Sequence, residues 1–171
     1  IVVDGYLAIG SPTCRLDAYI TITLLDSAED LGSHLGRKGI VTTRTGRMDI
    51  HGKLYQKTWT RLASSADVLD DRIQVTDYIN WEVGQQVVVL TSIWRDHEDN
   101  QNEVRTIAAI DGRKIQFTEP LQFFHYAGPE YQVEVALLSR RILIQGDEAS
   151  EVNRQGGHIM SHGTEARLSG V

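Results

Sequence analysis

Cysteine is almost missing: Cys14 is the only one in 171 residues, so no internal disulfide can staple the chain. Proline is scarce as well, at three residues, and few positions therefore deny a backbone donor to a sheet. Basic charge is in deficit. Seventeen Lys and Arg stand against 23 Asp and Glu, a net charge of −6, which gives no electrostatic hold on a phosphate backbone and excludes nucleic acid as an expected partner. No apolar run approaches the ~18 residues that a membrane span needs, so no membrane contact by this segment is expected. No Gly-x-Gly-x-x-Gly or phosphate loop precedes a helical stretch, and no Asn-x-Ser/Thr acceptor occurs. Cofactors are accordingly expected to be none. The chain opens on Ile1-Val2-Val3 with neither an initiator Met nor a signal peptide and closes on Leu168-Ser169-Gly170-Val171, and it is expected to be a piece of a longer protein.

What is present is β-forming. A hydrophobic content of 41% and a charged content of 23% suit a soluble globular domain, and the length suits a single one, residues 1–171. Short runs recur between Gly, Asp and Asn: Val2 to Ile9, Tyr19 to Leu25, Gly39 to His51, Arg72 to Thr76, Gln86 to Thr91, Val104 to Ile110, Lys114 to Thr118, Tyr131 to Gln145 and Gly157 to Ser161. Ile20, Ile22 and Leu24 share one strand face, with Thr21 and Thr23 on the other. Helix is minor, its candidates being Ser27 to Leu31 and one turn at Thr76 to Asn80. Asp111-Gly112 between two alternating runs predicts a type I′ hairpin, whose two central residues need positive φ. By contrast, Ile1 to Gly10, Tyr19 to Asp26, Gly39 to Gly52, Arg141 to Gly146 and His158 to Val171 have no tight hairpin between them. They read as rungs of a coiled solenoid, each burying its inner face on its neighbours. Gly39 to Gly52, Arg141 to Gly146 and His158 to Val171 are expected as parallel neighbours, with Ile40, Ile50, Ile142, Ile144 and Leu168 directed inward.

Candidate chemistry is thin. His158 and His162 would share a helical face suited to a metal, but the flanking Gly156, Gly157 and Gly163 argue for a strand, where four residues span about 13 Å. No metal ligands are assigned. Asp96 to Asn102 and Asp67, Asp70 and Asp71 lack the spacing of a calcium loop and read as solvated corners. Asp49 and His51 lie on one strand face about 6.6 Å apart, within the range that paired groups need for glycoside hydrolysis. Their place at a strand end favours a structural role, and no catalytic residue is assigned. Cys14 sits in a turn beside Arg15 and lacks the base a nucleophile requires. Trp59, Trp81, Trp94, Tyr78, Tyr126 and Tyr131 supply rings that stack on pyranose C–H faces. Trp59 and Trp81 are expected in the core, whereas Trp94 borders a polar loop. Trp94, Arg95 and His97 are the candidate ligand-binding residues. Arg37, Lys38, Arg44 and Arg47 form the densest basic group, the one feature suited to an acidic polysaccharide.

Three strings in one order carry a family resemblance: Gly46-Arg47-Met48-Asp49-Ile50-His51-Gly52 through Thr58-Trp59-Thr60-Arg61-Leu62, then Trp81 to Leu90, then Val133 to Gly146. Together they resemble the G-eight (G8) domain, found in the extracellular regions of fibrocystin, fibrocystin-L and the cell-surface and secreted hyaluronidases, over roughly residues 39 to 171. The resemblance implies an all-β fold, the start of a right-handed parallel β-helix with an antiparallel β insertion at about Thr58 to Pro129. Flanking rungs of the same chain would then be its neighbours. Hyaluronidases carry an extra globular domain just after their Trp-Thr string, whereas here Thr58 to Ala66 runs directly on to Arg72-Ile73-Gln74-Val75 and Trp81. The chain is more similar to the fibrocystin-like members. That implies a non-catalytic structural and adhesive module of a large extracellular or cell-surface protein, of the kind on cilia or cell coats. Its partners would be other surface proteins, with polysaccharide as a second class. The alternative is a carbohydrate-active β-helix that binds or depolymerises a hyaluronan-like polymer.

Overall fold

Alternating apolar residues form strands almost throughout the described residues, which are 1–25, 38–95, 97–154 and 156–171 of a computed structural model. The expected helical stretch at Ser27 to Leu31 lies outside them, as do Arg37 and Asp96. In chain order the strands are β1 Val2–Val3, β2 Tyr6–Ile9, β3 Ile20–Leu24, β4 Gly39–Thr42, β5 Arg47–His51, β6 Trp59–Arg61 and β7 Arg72–Gln74. There follow β8 Gln86–Val89, β9 Glu103–Asp111, β10 Lys114–Phe117, β11 Glu134–Leu137 and β12 Ile142–Gly146, a short helix α1 Ala149–Asn153, β13 His158–Ser161 and β14 Glu165–Ser169. They divide into two units, Ile1–Leu54 with Arg140–Val171, and Tyr55–Ser139. The run Tyr131 to Gln145, continuous in sequence, breaks between β11 and β12 and contributes to both.

The first unit contains three parallel sheets, ordered β1-β4-β13, β2-β5-β14 and β3-β12. Period-two patterning sets their faces. Met48 and Ile50 of β5 point inward with Ile40 and Ile142, all four fully buried, and Leu7, Ile9, Leu16, Ile22 and Ile144 pack around them. Leu168 is 39% exposed, so of the five side chains expected inward it alone lies largely outside. Glycine is required where adjacent layers turn together: a Cβ on Gly163 would stand 1.9 Å from the Gly46 carbonyl oxygen, and one on Gly46 2.1 Å from that of Val3.

The second unit is one six-stranded sheet, β6-β11-β8-β9-β10-β7, with every neighbouring pair antiparallel. It curls until its edges meet. Leu62 bridges Val75, and the Ala63 N–H donates to the Gln74 carbonyl at 2.7 Å. Inside the curl, Leu62, Val75, Val87, Val89, Ile107, Ile115, Leu121 and Val135 have almost no exposed surface, each contributing about 1.5–3 kcal/mol if large and aliphatic. Trp81 joins this core at 5% exposure and donates its indole N–H to the Lys57 carbonyl at 2.7 Å. Trp59, also expected there, is 48% exposed, because its neighbour Thr60 takes the inward position on β6.

The fold expectation needs correction. The chain is all-β, but it does not form a right-handed parallel β-helix carrying an insertion: its largest sheet is a curled antiparallel half-barrel, and its parallel strands make short sheets of three, three and two. The physical reason is that a buried face and a Gly-ended corner fix a strand's inward side without fixing the direction of its neighbour. The hairpin also differs in detail. Asp111 pairs with Lys114, so the two loop residues are Gly112 and Arg113, and of these Gly112 alone has positive φ, at 60°. That is the type II′ pattern rather than type I′.

Candidate functional site

Beyond β8 the chain leaves the sheet and is fixed by its own side chains. The Thr91 N–H donates to Asn102 Oδ1 at 2.8 Å, and the Ile93 N–H to Thr91 Oγ1 at 3.1 Å. Ser92 ties this segment to the one after β10: its hydroxyl donates to the Phe124 carbonyl at 3.2 Å and accepts from the Tyr126 N–H at 2.8 Å. The Tyr131 hydroxyl reaches the Ser92 carbonyl at 3.4 Å, and the rings of Tyr126 and Tyr131 lie 4.8 Å apart, tilted by 41°. Tyr126 also donates to Glu130. This bond holds the phenol above its ordinary range and the carboxyl below its own. The result is an open depression of about 710 Å³ lined by Leu90, Thr91, Ser92, Trp94, Asn102 and Tyr131.

Beneath the depression lies a buried charge cluster. Glu103 and Arg105 are inward on β9 while Val104 points out, an inversion of the usual polar and apolar faces. The Glu103 carboxylate accepts from the guanidinium of Arg105, from the N–H groups of Gln122 at 2.8 Å and Phe123 at 2.8 Å, and from His125 Nε2 at 3.0 Å. His125 is fully buried, and its Nδ1 faces the Leu90 carbonyl at 2.7 Å. Both ring nitrogens thus face oxygen atoms, one of a carboxylate and one of a backbone carbonyl. Burial opposes ionisation of Glu103 and is the largest single influence on it. The Gln122 N–H, His125, the Phe123 N–H and Arg105 together outweigh it and hold the carboxyl below its ordinary range. The cluster therefore ties Leu90, which lines the depression, to the segment Gln122 to His125.

Of the residues picked out in the sequence, Trp94 lines the depression and is 95% exposed. Arg95 and His97 do not line it: both turn to Glu98, at 3.3 and 3.7 Å. The structure brings Trp94 instead to Tyr131, Thr91 and Asn102. The supporting triad of Glu103, Arg105 and His125 went unnoticed in the sequence, although polar residues at alternate positions around the exposed Val104 were a legible sign of it. The described members of the basic group do not gather. Lys38 is buried against Asp147 at 2.6 Å and Ser150 at 3.0 Å, Arg47 binds Asp49 and Glu165 at 3.0 Å each, and Arg44 is exposed.

Asp49 and His51 sit on the outer face of β5, both buried by their neighbours. Asp49 accepts from the Tyr6 hydroxyl at 2.7 Å and from Arg47 at 3.0 Å. The Tyr6 bond is the chief cause that lowers the Asp49 pKa, against burial and with help from Arg47. His51 Nδ1 meets Ser169 Oγ at 2.9 Å. One atom of each group is thus engaged, while Asp49 Oδ1 and His51 Nε2, 3.7 Å apart, are buried without a hydrogen-bond partner among the described residues. His158 lies on strand β13, and His162 turns to the Met160 sulfur at 3.0 Å. Among the described residues no three or more His, Cys, Asp or Glu side chains converge as a metal site, and no helix is long and apolar enough to cross a membrane.

Fold and site define an all-β module whose antiparallel unit carries an open aromatic face. The G8 domain model matches residues 1–63 of the chain. Over its full length the chain is 47% identical to a G8 domain-containing protein of Dictyostelium discoideum, of which it spans 13%. It is 33% identical over 121 residues to mouse fibrocystin-L, an alignment covering 64% of this chain and 3% of that protein. Among solved structures, the Pseudomonas phage phi297 tailspike gp61 aligns with 96% of this chain and 24% of its own length, at 11% identity and a TM-score of 0.45. The chain is thus a small part of the length of the relatives it matches. The family match also sits earlier than the expected span of about 39 to 171, and of the three sequence strings only the first reaches into it.

Proposed function

We propose that this chain is a non-catalytic structural and adhesive module of a large extracellular or cell-surface protein. The carrying observation is a division of labour among side chains. Most buried ionisable groups, Glu103 with Arg105 and His125, Asp49 with Arg47, and Lys38 with Asp147, are paired with other side chains, whereas Trp94 stands in solvent beside a half-exposed Tyr131. Apolar side chains left open in this way mark recognition more often than chemistry. Kinship with fibrocystin-L supports the extracellular setting. The alternative of an enzyme acting on an acidic polymer gains no support from the dispersed basic residues.

Two measurements on the protein test this reading. Antibody against the full-length protein should stain intact cells as strongly as permeabilised ones, and the chain incubated with labelled hyaluronan should leave the polymer's size distribution unchanged. Staining that requires permeabilisation, or a polymer that shortens, would overturn it.

A further inference from the structure

We infer that the depression beside Trp94 binds an uncharged glycan, with the indole as the stacking face for one pyranose ring. The inference rests on the adhesive reading above and names the ligand of that surface. Its first support is the kind of surface exposed. Trp94 is the one tryptophan almost wholly in water, with partly exposed Ile93 and Tyr131 close by. A flat aromatic face gains by covering the C–H side of a sugar ring, which is apolar while its rim is hydroxylated.

The second support is hydrogen-bonding capacity. Asn102 Oδ1 is taken by the Thr91 N–H, which leaves the Asn102 amide NH2 without a partner among the described residues. Thr91 Oγ1 accepts from the Ile93 N–H and keeps its own proton to donate. Both open functions are neutral donors, matched to hydroxyl oxygens. The third is charge. Among the described residues no ionised side chain lines the depression; the exposed Arg95 beside Trp94 is paired with Glu98, and Asp99 and Glu130 are exposed carboxylates of the same unit, so the surroundings do not favour a polyanion. A neutral sugar suits this wall; a uronate or sulfated chain does not.

The wall is also held in place before any ligand arrives. Ser92 binds both Tyr126 and Tyr131, and His125 holds the Leu90 carbonyl, so the part of the wall around Trp94 loses little freedom on binding. A proline-rich peptide is the competing occupant, since it docks in aromatic grooves. Such a groove needs two open walls. Tyr131 is tilted onto Tyr126, with its hydroxyl on Ser92, which leaves Trp94 as the single fully open ring.

The test is a titration of the full chain, followed by tryptophan fluorescence and by calorimetry, with cellohexaose, laminarihexaose, mannohexaose and chitohexaose, a hyaluronan hexasaccharide and decaproline. At least one neutral hexasaccharide should bind saturably. Trp94→Ala should weaken it at least tenfold and Trp94→Phe should retain part of the affinity, both with unchanged melting temperatures, and Asn102→Ala should weaken it severalfold. Failure of all four neutral sugars, or binding of hyaluronan or decaproline in their place, would overturn the inference. Adhesion to cells that depends on Trp94 without any hexasaccharide binding would sink the sugar assignment and leave the adhesive reading standing.

Discussion

Replacing Glu103 by Gln keeps the shape of the side chain and removes the charge on which the buried cluster of the antiparallel unit depends. Arg105 and His125 then lose their common carboxylate, and the new amide can accept through one oxygen only. Its NH2 must face either Arg105 and the Gln122 N–H or His125 and the Phe123 N–H. Arg105 keeps the carbonyls of Pro120 at 3.0 Å and Val104 at 2.9 Å, which softens the loss. Removing one partner of a buried ion pair costs about 3–5 kcal/mol, and for a chain of this size each kcal/mol lowers the melting temperature by about 2–4 °C. The expected fall is therefore about 6–20 °C. Urea unfolding followed by fluorescence reports it directly, because Trp81 lies in the same buried core, and calorimetry gives the temperature. Glu119→Gln, at an exposed position, is the control and should change stability by less than about 0.5 kcal/mol. A Glu103→Gln variant within about 1 kcal/mol of the parent would refute the view that this cluster holds the unit together.

Three further outcomes follow from named contacts. Glu103 and Asp49 both have folded pKa values below their ordinary 4.5 and 3.8, so their stabilisation is complete above those values and lost as pH falls through the lower folded ones; a chemical-denaturation series should be flat down to about pH 5 and drop below it, less steeply in Glu103→Gln. Gly163→Ala forces a Cβ against the Gly46 and Thr43 carbonyl oxygens and should cost about 1–3 kcal/mol, whereas Gly5→Ala, with open space around it, should be neutral or slightly stabilising; equal melting temperatures for the two would discredit the close approach. Gly112→Val asks a β-branched residue to hold a φ of 60° and should destabilise by about 1–2 kcal/mol, and an unchanged melt would remove the turn assignment.

Secondary structure was legible wherever local physics is self-sufficient. The alternation of Ile20, Ile22 and Leu24 announced a strand with one buried side, and Asp111-Gly112 announced a hairpin, though its loop falls one residue later than expected. Topology was less legible because it depends on partner direction. Gly52 and Gly170 end parallel strands, while Gly112 joins antiparallel ones, and the residue type is the same in each case. The short helix Ala149–Asn153 was also invisible, being too brief for periodicity to register. At the candidate site, Trp94 could be picked out by its polar surroundings. Its companions Asn102 and Tyr131 lie 8 and 37 positions away in sequence and are tied in through Thr91 and Ser92 respectively, contacts that spacing does not encode. Arg95 and His97 attracted notice as neighbours of Trp94, yet adjacency in a loop does not set side-chain direction, and both turn to Glu98.

The central claim is that the open aromatic face of the antiparallel unit is what this module uses for adhesion. Beads coated with the full chain, with Trp94→Ala and with Trp94→Phe, each verified as folded by its melting temperature, can be counted on intact cells under shear. The parent should adhere saturably, Trp94→Ala should lose most of that adhesion, and Trp94→Phe should fall between. Equal adhesion by the parent and Trp94→Ala, or parent beads that hold no better than uncoated ones, would contradict the account.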